Sequence, residues 1–312
     1  MAQKIFLITG ATGATGGYAV RQLLEKGHPV RVVAHRPDER SEQLRTAGAE
    51  VVFGDFLDFD SVRAALSGVQ RAYFCYPISP GLVQATAQFA QAAKEAGVEV
   101  IVNMSQISAR SDAKSNAARQ HWLSERVFDW SGVPAVHLRP TFFAEWLLYL
   151  APMIRQGKIF APFTTTGRHA PVAAEDQARV IVAILQNPAA HIGKTYPLFG
   201  PVELTLPEIT AIISRMIGKE VTYQQVPIEK FAEIYSGNPK RAAQNTAMAM
   251  YGDKGAPTDG SAKTFLMQHL HEVAIDHSNG IFAGTNNYIA EIGGRPPMTV
   301  EEFVTRNREG FV

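Results

Sequence analysis

The feature that most constrains this 312-residue chain is a glycine-rich turn close to its start. Apolar residues 5–8 lead into Thr9-Gly10-Ala11-Thr12-Gly13-Ala14-Thr15-Gly16-Gly17, and an amphipathic segment follows from Tyr18 to Gly27. A strand, a tight turn and a helix in this order bring a dinucleotide pyrophosphate to the N-terminus of the helix. The turn therefore predicts a dinucleotide-binding fold, with an ordinary strand-to-helix loop as the alternative.

Three of the glycines have separate roles in this prediction. Gly10 permits the tight turn, Gly13 lets backbone N–H groups approach the phosphates, and Gly16 lets the helix pack closely on the sheet. The candidate cofactor contacts in the turn are Gly10, Thr12, Gly13, Ala14, Thr15 and Gly16.

The first half of the chain alternates between short β-rich runs and longer helical patterns. Strands are predicted at 4–9, 29–34, 50–53, 71–76, 99–104 and 135–139, and helices at 17–26, 39–47, 59–66, 81–96 and 117–130. This alternation is typical of βαβ units, and it predicts an α/β fold with a doubly wound parallel sheet. A ligand is expected along the edge where the strands end.

The second half is less regular. A helical stretch at 142–157 precedes a loop through Pro162 and Gly167, and a helix at 175–186 with a strand at 195–199 returns to the sheet. A helix at 206–217, a strand at 220–226, loops with a mobile segment at 236–261 and helical patterns at 262–312 follow. We expect a Rossmann domain over 1–157 with a return segment at about 171–200, and a smaller C-terminal α+β substrate domain over 201–312.

Composition excludes several classes of protein. A net charge of +1, with no run of Lys and Arg longer than a pair, argues against direct nucleic-acid or anionic membrane binding. No apolar run is long enough to span a membrane, and a strand so near the start leaves no room for a signal peptide. The single cysteine, Cys75, cannot form an internal disulfide, and we expect an apolar core residue in a cytoplasmic protein. Monomer and homodimer both stay open.

The residues after the second and third strands bear on the choice of cofactor. Arg36 lies where an arginine accommodates the 2′-phosphate of NADP, so NADPH is predicted over NADH; a solvated loop arginine is the alternative. Arg40 either assists or belongs to the next helix. Asp55 either accepts a hydrogen bond from the adenine amino group or caps the helix that starts near residue 59.

A common catalytic pair is missing from the sequence. Many carbonyl reductases use a Tyr followed four residues later by a Lys that lowers the phenol pKa, and none of the nine tyrosines here has such a lysine. Ser105, after the fifth strand, is a candidate to orient a substrate oxygen. His121, in the expected helix, is a candidate proton donor or pocket residue, against the alternative of an ordinary buried histidine.

Several motifs resemble the NmrA-like branch of atypical short-chain dehydrogenases over nearly the whole chain. They are Thr9-Gly10-Ala11-Thr12-Gly13, His121-Trp122-Leu123-Ser124-Glu125, Ser131-Gly132-Val133-Pro134, Leu138-Arg139-Pro140-Thr141-Phe142-Phe143, Asp176-Gln177-Ala178, Phe199-Gly200-Pro201 and Gly293-Gly294-Arg295-Pro296-Pro297. The branch includes NADPH-dependent quinone reductases and triphenylmethane dye reductases, and also the fungal nitrogen regulator NmrA and related sensors. The resemblance implies cofactor contacts at Arg36 and at the ends of two strands, namely Cys75, Tyr76 and Pro77, and Asn103, Met104 and Ser105.

Two functions follow from these observations. The first is an NADPH-dependent reductase that transfers hydride directly to a quinone or a similar conjugated electrophile, because such acceptors take hydride without a dedicated proton donor. The second is a non-catalytic NADP(H) sensor that binds a protein partner. A sugar-nucleotide epimerase requires the missing Tyr/Lys pair.

Aromatic residues near the strand ends are the candidates for the acceptor pocket, with core packing as the alternative for each. They are Tyr76, Trp122, Phe142, Phe143 and Trp146. No metal site is predicted at His269-Leu270-His271, because a second histidine at zincin spacing is absent.

Overall fold

The computed structural model describes residues 4–236 and 261–312, so most of the loop region predicted at 236–261 lies outside the described residues. Seven parallel strands form the main sheet in the order β3-β2-β1-β4-β5-β6-β9. They are β1 (Phe6–Ile8), β2 (Val30–Ala34), β3 (Glu50–Phe53), β4 (Arg71–Phe74), β5 (Val100–Met104), β6 (Ala135–Pro140) and β9 (Thr195–Leu198). The predicted doubly wound parallel sheet is confirmed.

Two small sheets accompany the main one. β7 (Lys158–Ala161) pairs in parallel with β11 (Thr222–Gln225), and β8 (Arg168–His169) pairs in antiparallel with β10 (Leu204–Thr205). The helices described are α1 (Ala14–Glu25), α2 (Glu39–Thr46), α3 (Phe59–Leu66), α4 (Leu82–Ala96), α5 (Asn116–Ser131), α6 (Trp146–Ile154), α7 (Ala174–Gln186), α8 (Leu206–Ile217), α9 (Ile228–Ser236), α10 (Ser261–Ser278), α11 (Tyr288–Gly293), α12 (Val300–Arg306) and α13 (Arg308–Phe311).

Several elements differ from the prediction. Helix α1 begins at Ala14 rather than at residue 17, because the turn ends at Gly13, whose extended backbone forms the N-cap. The helix predicted at 142–157 is restricted to α6, since Phe143 instead forms an isolated bridge with Val172. Strand β7 was not predicted, because its four residues make a pair only with β11, more than 60 residues later.

Buried apolar side chains form three clusters. Two lie on opposite faces of the main sheet, because neighbouring residues such as Leu7 and Ile8 point to opposite sides. The third cluster joins α6, β7, α8 and the C-terminal helices α12 and α13. Helix α11 belongs to the expected C-terminal domain, yet its Ile289 packs in one of the two clusters on the main sheet. The division into domains stays a prediction. Among the residues described, no helix has the length and apolar character to cross a membrane.

Candidate functional site

The glycine turn provides no side chain that caps the start of α1. Gly10 has a φ of +59°, a conformation that glycine adopts without a steric penalty, so it permits the tight turn as predicted. Gly13 is the N-cap of α1 and provides no side-chain hydrogen bond to the helix. The first N–H groups of a helix have no partner within the helix, so those of α1 are available to an anion.

The close contact at Gly16 is made with the turn rather than directly with the sheet. A Cβ on Gly16 would lie 2.3 Å from the carbonyl oxygen of Gly10, whereas one on Gly13 would lie 3.2 Å from it. The side chain of Thr15 is buried, and its Oγ1 is 3.0 Å from the hydroxyl of Tyr73. Thr15 therefore uses its side chain to hold α1 on the sheet, while Thr12 and Ala14 are partly exposed.

The loop after β2 contains the two arginines considered for the 2′-phosphate. Arg36 is partly exposed, two residues beyond the end of the strand. Arg40 lies within α2, where its Nη2 is 2.8 Å from Oδ2 of Asp38, the residue that caps that helix. Arg36 is consequently the arginine nearer to the strand end, and Arg40 belongs to the next helix.

The structure excludes one of the two alternatives for Asp55. Its Oδ1 accepts a hydrogen bond from the backbone N–H of Leu57 at 2.9 Å, and the residue is exposed. Asp58 caps α3 instead, accepting from the N–H of Asp60 at 3.1 Å. Asp55 does not cap α3, because the N-cap position directly before residue 59 belongs to Asp58; its contact with adenine stays a prediction.

The residues after β4 lie beside the glycine turn. Cys75 is the nearest neighbour that a Cβ on Gly10 would meet, at 3.4 Å. Burial raises the pKa of the Cys75 thiol to about 11, so the thiol stays protonated and unreactive at neutral pH. Tyr76 is half-buried, with its hydroxyl 3.4 Å from the carbonyl oxygen of Pro80, and Pro77 follows it directly into the loop.

The end of β5 carries buried polar atoms that have no partner among the residues described. Asn103 donates from Nδ2 to His137 Nδ1 at 3.1 Å, but its Oδ1 has no hydrogen-bond partner. Ser105 is 4% exposed, and its Oγ is also unpartnered. Buried polar groups are nearly always hydrogen-bonded, so these two atoms have a free position for a water molecule or another polar group. Met104, between them, is buried.

Helix α5 holds a different pair from the Tyr/Lys pair of ordinary reductases. Burial, with His269 close by, lowers the pKa of His121 to about 4, and its Nδ1 has no partner among the described residues. Four residues later, Glu125 is fully buried, and Arg139 donates to its two oxygens at 2.8 and 2.5 Å. The helix thus presents a neutral imidazole and an already paired carboxylate.

A small apolar cavity of about 30 Å³ lies beyond the end of β6. Its lining includes the predicted pocket residues Phe142, Phe143 and Trp146, together with Leu147, Leu150, Ala161, Phe163, His169, Pro171, Leu206, Ile209 and Phe231. The rings of Phe142 and Trp146 meet edge to face at 5.6 Å. Tyr76 and Trp122 do not line this cavity, so the structure brings together three of the five predicted aromatic residues.

Two polar residues beside this region were not found from the sequence. Glu145 precedes α6, and its carboxylate oxygens lie 3.0 and 3.1 Å from the backbone nitrogen of Ala174 at the start of α7. His169 lines the cavity, and its Nδ1 is 3.1 Å from Nε2 of His277. Neither residue belongs to a short motif, because each meets its partner only through the tertiary fold. In the part of the chain described, no group of three His, Cys, Asp or Glu residues is placed to hold a metal ion.

Comparisons with known proteins bear on the family and the fold of this chain. A model of the NmrA-like family matches residues 2–303. The chain is 28% identical to an NAD(P)H azoreductase of Xenophilus azovorans over 98% of this chain and 99% of that protein. It is 29% identical to quinone oxidoreductase 2 of Escherichia coli over 72% of this chain and 79% of that protein. A crystal structure of that NADPH-dependent quinone oxidoreductase, complexed with NADPH, superposes with a TM-score of 0.78 at 24% identity, covering 97% and 99% of the two chains.

Proposed function

Because this chain belongs to the NmrA-like family, we propose that it is an NADPH-dependent reductase that acts on a small, flat, conjugated acceptor such as a quinone. The observation that supports this most is an uncapped helix start behind a glycine turn, together with an aromatic cavity beyond β6. The relatives named as an NAD(P)H azoreductase and a quinone oxidoreductase support the same class of reaction.

The residues present fit a dinucleotide. The turn is tight, with Gly16 packed on the carbonyl of Gly10, and no side chain caps the N–H groups of α1, as a pyrophosphate requires. Arg36 would bind the 2′-phosphate, and Asp55 would bind the adenine. Cys75, Tyr76 and Pro77 would border the cofactor, and the unpartnered atoms of Asn103 and Ser105 would receive its nicotinamide half or the substrate.

The chain itself supplies orientation and exclusion of water rather than a proton. NADPH, when bound, supplies a hydride. The aromatic rings of Phe142, Phe143 and Trp146 would border a flat acceptor where β6 ends, which raises the effective concentration of the reacting groups. Because His121 is neutral at pH 7 and Glu125 is paired with Arg139, the proton comes from water. Ser105 would orient an oxygen of the substrate.

A direct assay tests this proposal. Purified protein is titrated with NADPH and with NADH by fluorescence, and NADPH oxidation is then followed at 340 nm with quinones, azo dyes and cationic triphenylmethane dyes. We expect tighter binding of NADPH than of NADH and turnover with at least one acceptor class. Tight NADPH binding without oxidation by any acceptor would contradict the reductase and favour a non-catalytic NADP(H) sensor.

A further inference from the structure

Two buried histidines attach helix α10 to the elements around the ends of β5 and β6. Nδ1 of His269 is 2.7 Å from Oγ of Ser115, the residue that caps α5. Nε2 of His277 is 3.1 Å from Nδ1 of His169, which lies on β8 and lines the cavity beyond β6. His121 of α5 is also buried, close enough to His269 for a charge on one ring to act on the other. These four buried residues form the histidine cluster of α10: His121, His169, His269 and His277.

The contacts of the histidine cluster require uncharged rings. A protonated imidazole carries a proton on both nitrogens and cannot accept a hydrogen bond. In the contact between His169 and His277 one nitrogen must accept, so the two rings cannot both be protonated. Nδ1 of His121 and Nδ1 of His277 are buried without a partner among the described residues, and a proton on either atom would be an unpaired donor. Charging the cluster is therefore unfavourable while α10 is in place.

Burial acts in the same direction on every ring of the cluster. It lowers the pKa of His169 to about 3 and the pKa of each of the other three rings to about 4. Glu125 opposes this shift at His121, but both of its oxygens are already bonded to Arg139. The four rings are consequently neutral at pH 7.

The other charged groups around α10 are paired or exposed. Both oxygens of Asp276 accept from Arg110 in the loop after β5, at 2.6 and 2.8 Å, and Arg110 also pairs with Asp112. Glu272 lies beside the exposed His271 on α10 itself. Exposed charged residues flank the interface on α9, on β8 and around the start of α5, namely Lys114, Arg119, Arg168, Glu229, Lys230 and Glu233. These groups leave the charge of a protonated histidine cluster uncompensated.

We propose that the histidine cluster is an acid-operated release for α10: when its rings take up protons, α10 separates from α5 and β8 while the main sheet stays folded. The buried apolar residues of α10, Leu270 and Val273, belong to the third cluster and not to the two clusters on the main sheet. A histidine freed from the interface regains its ordinary pKa of 6.5. Release is thus favoured by up to about 30-fold for each freed histidine at pH 5, and by up to about a million-fold for all four.

The release has a consequence for the proposed reductase. Helix α10 contacts the cap of α5 and the strand β8 that borders the cavity beyond β6, so its separation changes the surroundings of both strand ends. We expect turnover to stop at pH 5 and to return when the pH is restored. This loss of turnover rests on the proposed reductase function, whereas the release of α10 does not.

Hydrogen exchange of the full chain, followed by mass spectrometry, tests the release. After correction for the intrinsic pH dependence of exchange, residues 264–278 should be protected at least about 100-fold at pH 7.5 and should exchange at nearly the rate of an unstructured chain at pH 5. Strands β4 and β5 should stay protected at least about 1,000-fold at both pH values. Protection of α10 that persists at pH 5, or that is lost only together with the strands, would overturn the proposal.

The double variant His269→Asn/His277→Gln removes two of the four titrating rings. It keeps a polar group near each hydrogen-bonding nitrogen, since the Asn amide reaches the position of Nδ1 and the Gln amide that of Nε2. Between pH 7.5 and pH 5 its α10 should lose about 100-fold less protection than that of the wild type. The matched control His271→Gln removes an exposed histidine of the same helix and should keep the wild-type response. Equal responses of the double variant and the control would show that the cluster does not operate the release.

One further measurement does not depend on the stability of a variant. In wild-type protein labelled with ¹³C-histidine, the rings of His269 and His277 should become protonated in the pH interval in which α10 loses its protection. Protonation of both rings while α10 stays protected, or release of α10 with both rings neutral, would contradict the proposal. If no acceptor is reduced at any pH, the reductase function fails alone, because exchange does not require turnover. If an acceptor is reduced but α10 stays protected at pH 5, the inference about α10 fails alone.

Discussion

At the scale of single residues, the glycine turn shows why one methyl group matters. Gly16 faces the carbonyl of Gly10 so closely that any side chain would displace backbone, whereas the neighbouring Gly17 has more space, since its Cβ would lie 3.3 Å from the carbonyl oxygen of Ala11. Backbone atoms cannot move aside as the end of a flexible side chain can. The geometry of the turn therefore depends on Gly16 more than on Gly17.

Gly16→Ala should destabilise the protein by about 1–3 kcal/mol, the usual cost of overpacking, and weaken NADPH binding at least about tenfold. The matched variant Gly17→Ala should change the free energy of unfolding by less than about 1 kcal/mol, because the better helix propensity of Ala offsets a tight contact. Urea unfolding and a fluorescence titration measure both quantities. Equal effects of the two variants would show that the turn does not require Gly16.

Arg36→Ala should weaken NADPH binding about 10- to 100-fold and leave NADH binding unchanged, because only NADPH carries the 2′-phosphate that a guanidinium binds. Arg40→Ala is the control, since Arg40 lies within α2, farther from the end of β2. Dissociation constants for both nucleotides provide the test. A loss of the same size for NADPH and NADH would mean that Arg36 does not recognise the phosphate.

At the scale of elements, the carboxyl group of Glu145, directly before α6, lies against the start of α7. Burial, the largest cause, raises the pKa of Glu145 to about 7. The nearby carboxylates of Asp176 and Glu175 add to this rise, whereas the hydrogen bond from the N–H of Ala174 opposes it. The unfolded chain ionises this group at its ordinary value of 4.5. Between the two values the folded protein holds more protons than the unfolded chain, so stability falls as pH rises.

In the nucleotide-free wild type, we expect the titration of Glu145 to lower the free energy of unfolding by up to about 3 kcal/mol between pH 4.5 and pH 7. Glu145→Gln should lack this decrease. The Gln side chain still accepts from Ala174 but has no charge to bury. The control Glu25→Gln changes an exposed carboxylate and should keep the wild-type profile. Urea titrations at pH 5 and pH 8 suffice, and parallel profiles for wild type and Glu145→Gln would contradict the assignment.

The elements also show what the sequence was able to predict. Helices α3 and α8 have the predicted bounds, because Asp58 and Thr205 cap them and their apolar residues recur with helical spacing. His169 was not predictable, because it lies in a two-residue strand and meets His277 across 108 residues of chain. Local patterns determine helices and strands, whereas such a contact depends on how distant elements pack.

At the scale of the whole molecule, each hydrophobic cluster is assembled from distant segments. Helix α11 packs against α7 and β9, and Ile289, 1% exposed, joins the cluster that includes β1 and β5. The cavity beyond β6 is lined by segments from before and after β9 in the chain, since Pro171 precedes this strand and Leu206 follows it. The main sheet and the third cluster, around α6, β7 and α8, are therefore expected to unfold together.

Ile289→Ala should lower the free energy of unfolding by about 2–5 kcal/mol, the usual cost of such a truncation in a core. Ile275→Ala, on the exposed side of α10, should change it by less than about 0.5 kcal/mol. Urea unfolding monitored by tryptophan fluorescence and by circular dichroism compares them. A small effect at Ile289, or separate transitions by the two probes, would mean that α11 is not needed by the sheet.

The position of α11 has a consequence for the order in which the protein matures during synthesis. A ribosome releases the strands of the main sheet long before residues 288–293, so one face of that sheet lacks part of its apolar cover until those residues emerge. The nascent chain exposes apolar surface throughout this interval, and such surface is prone to aggregation. A chaperone that binds nascent chains should accordingly dissociate only after residues 288–293 have left the exit tunnel.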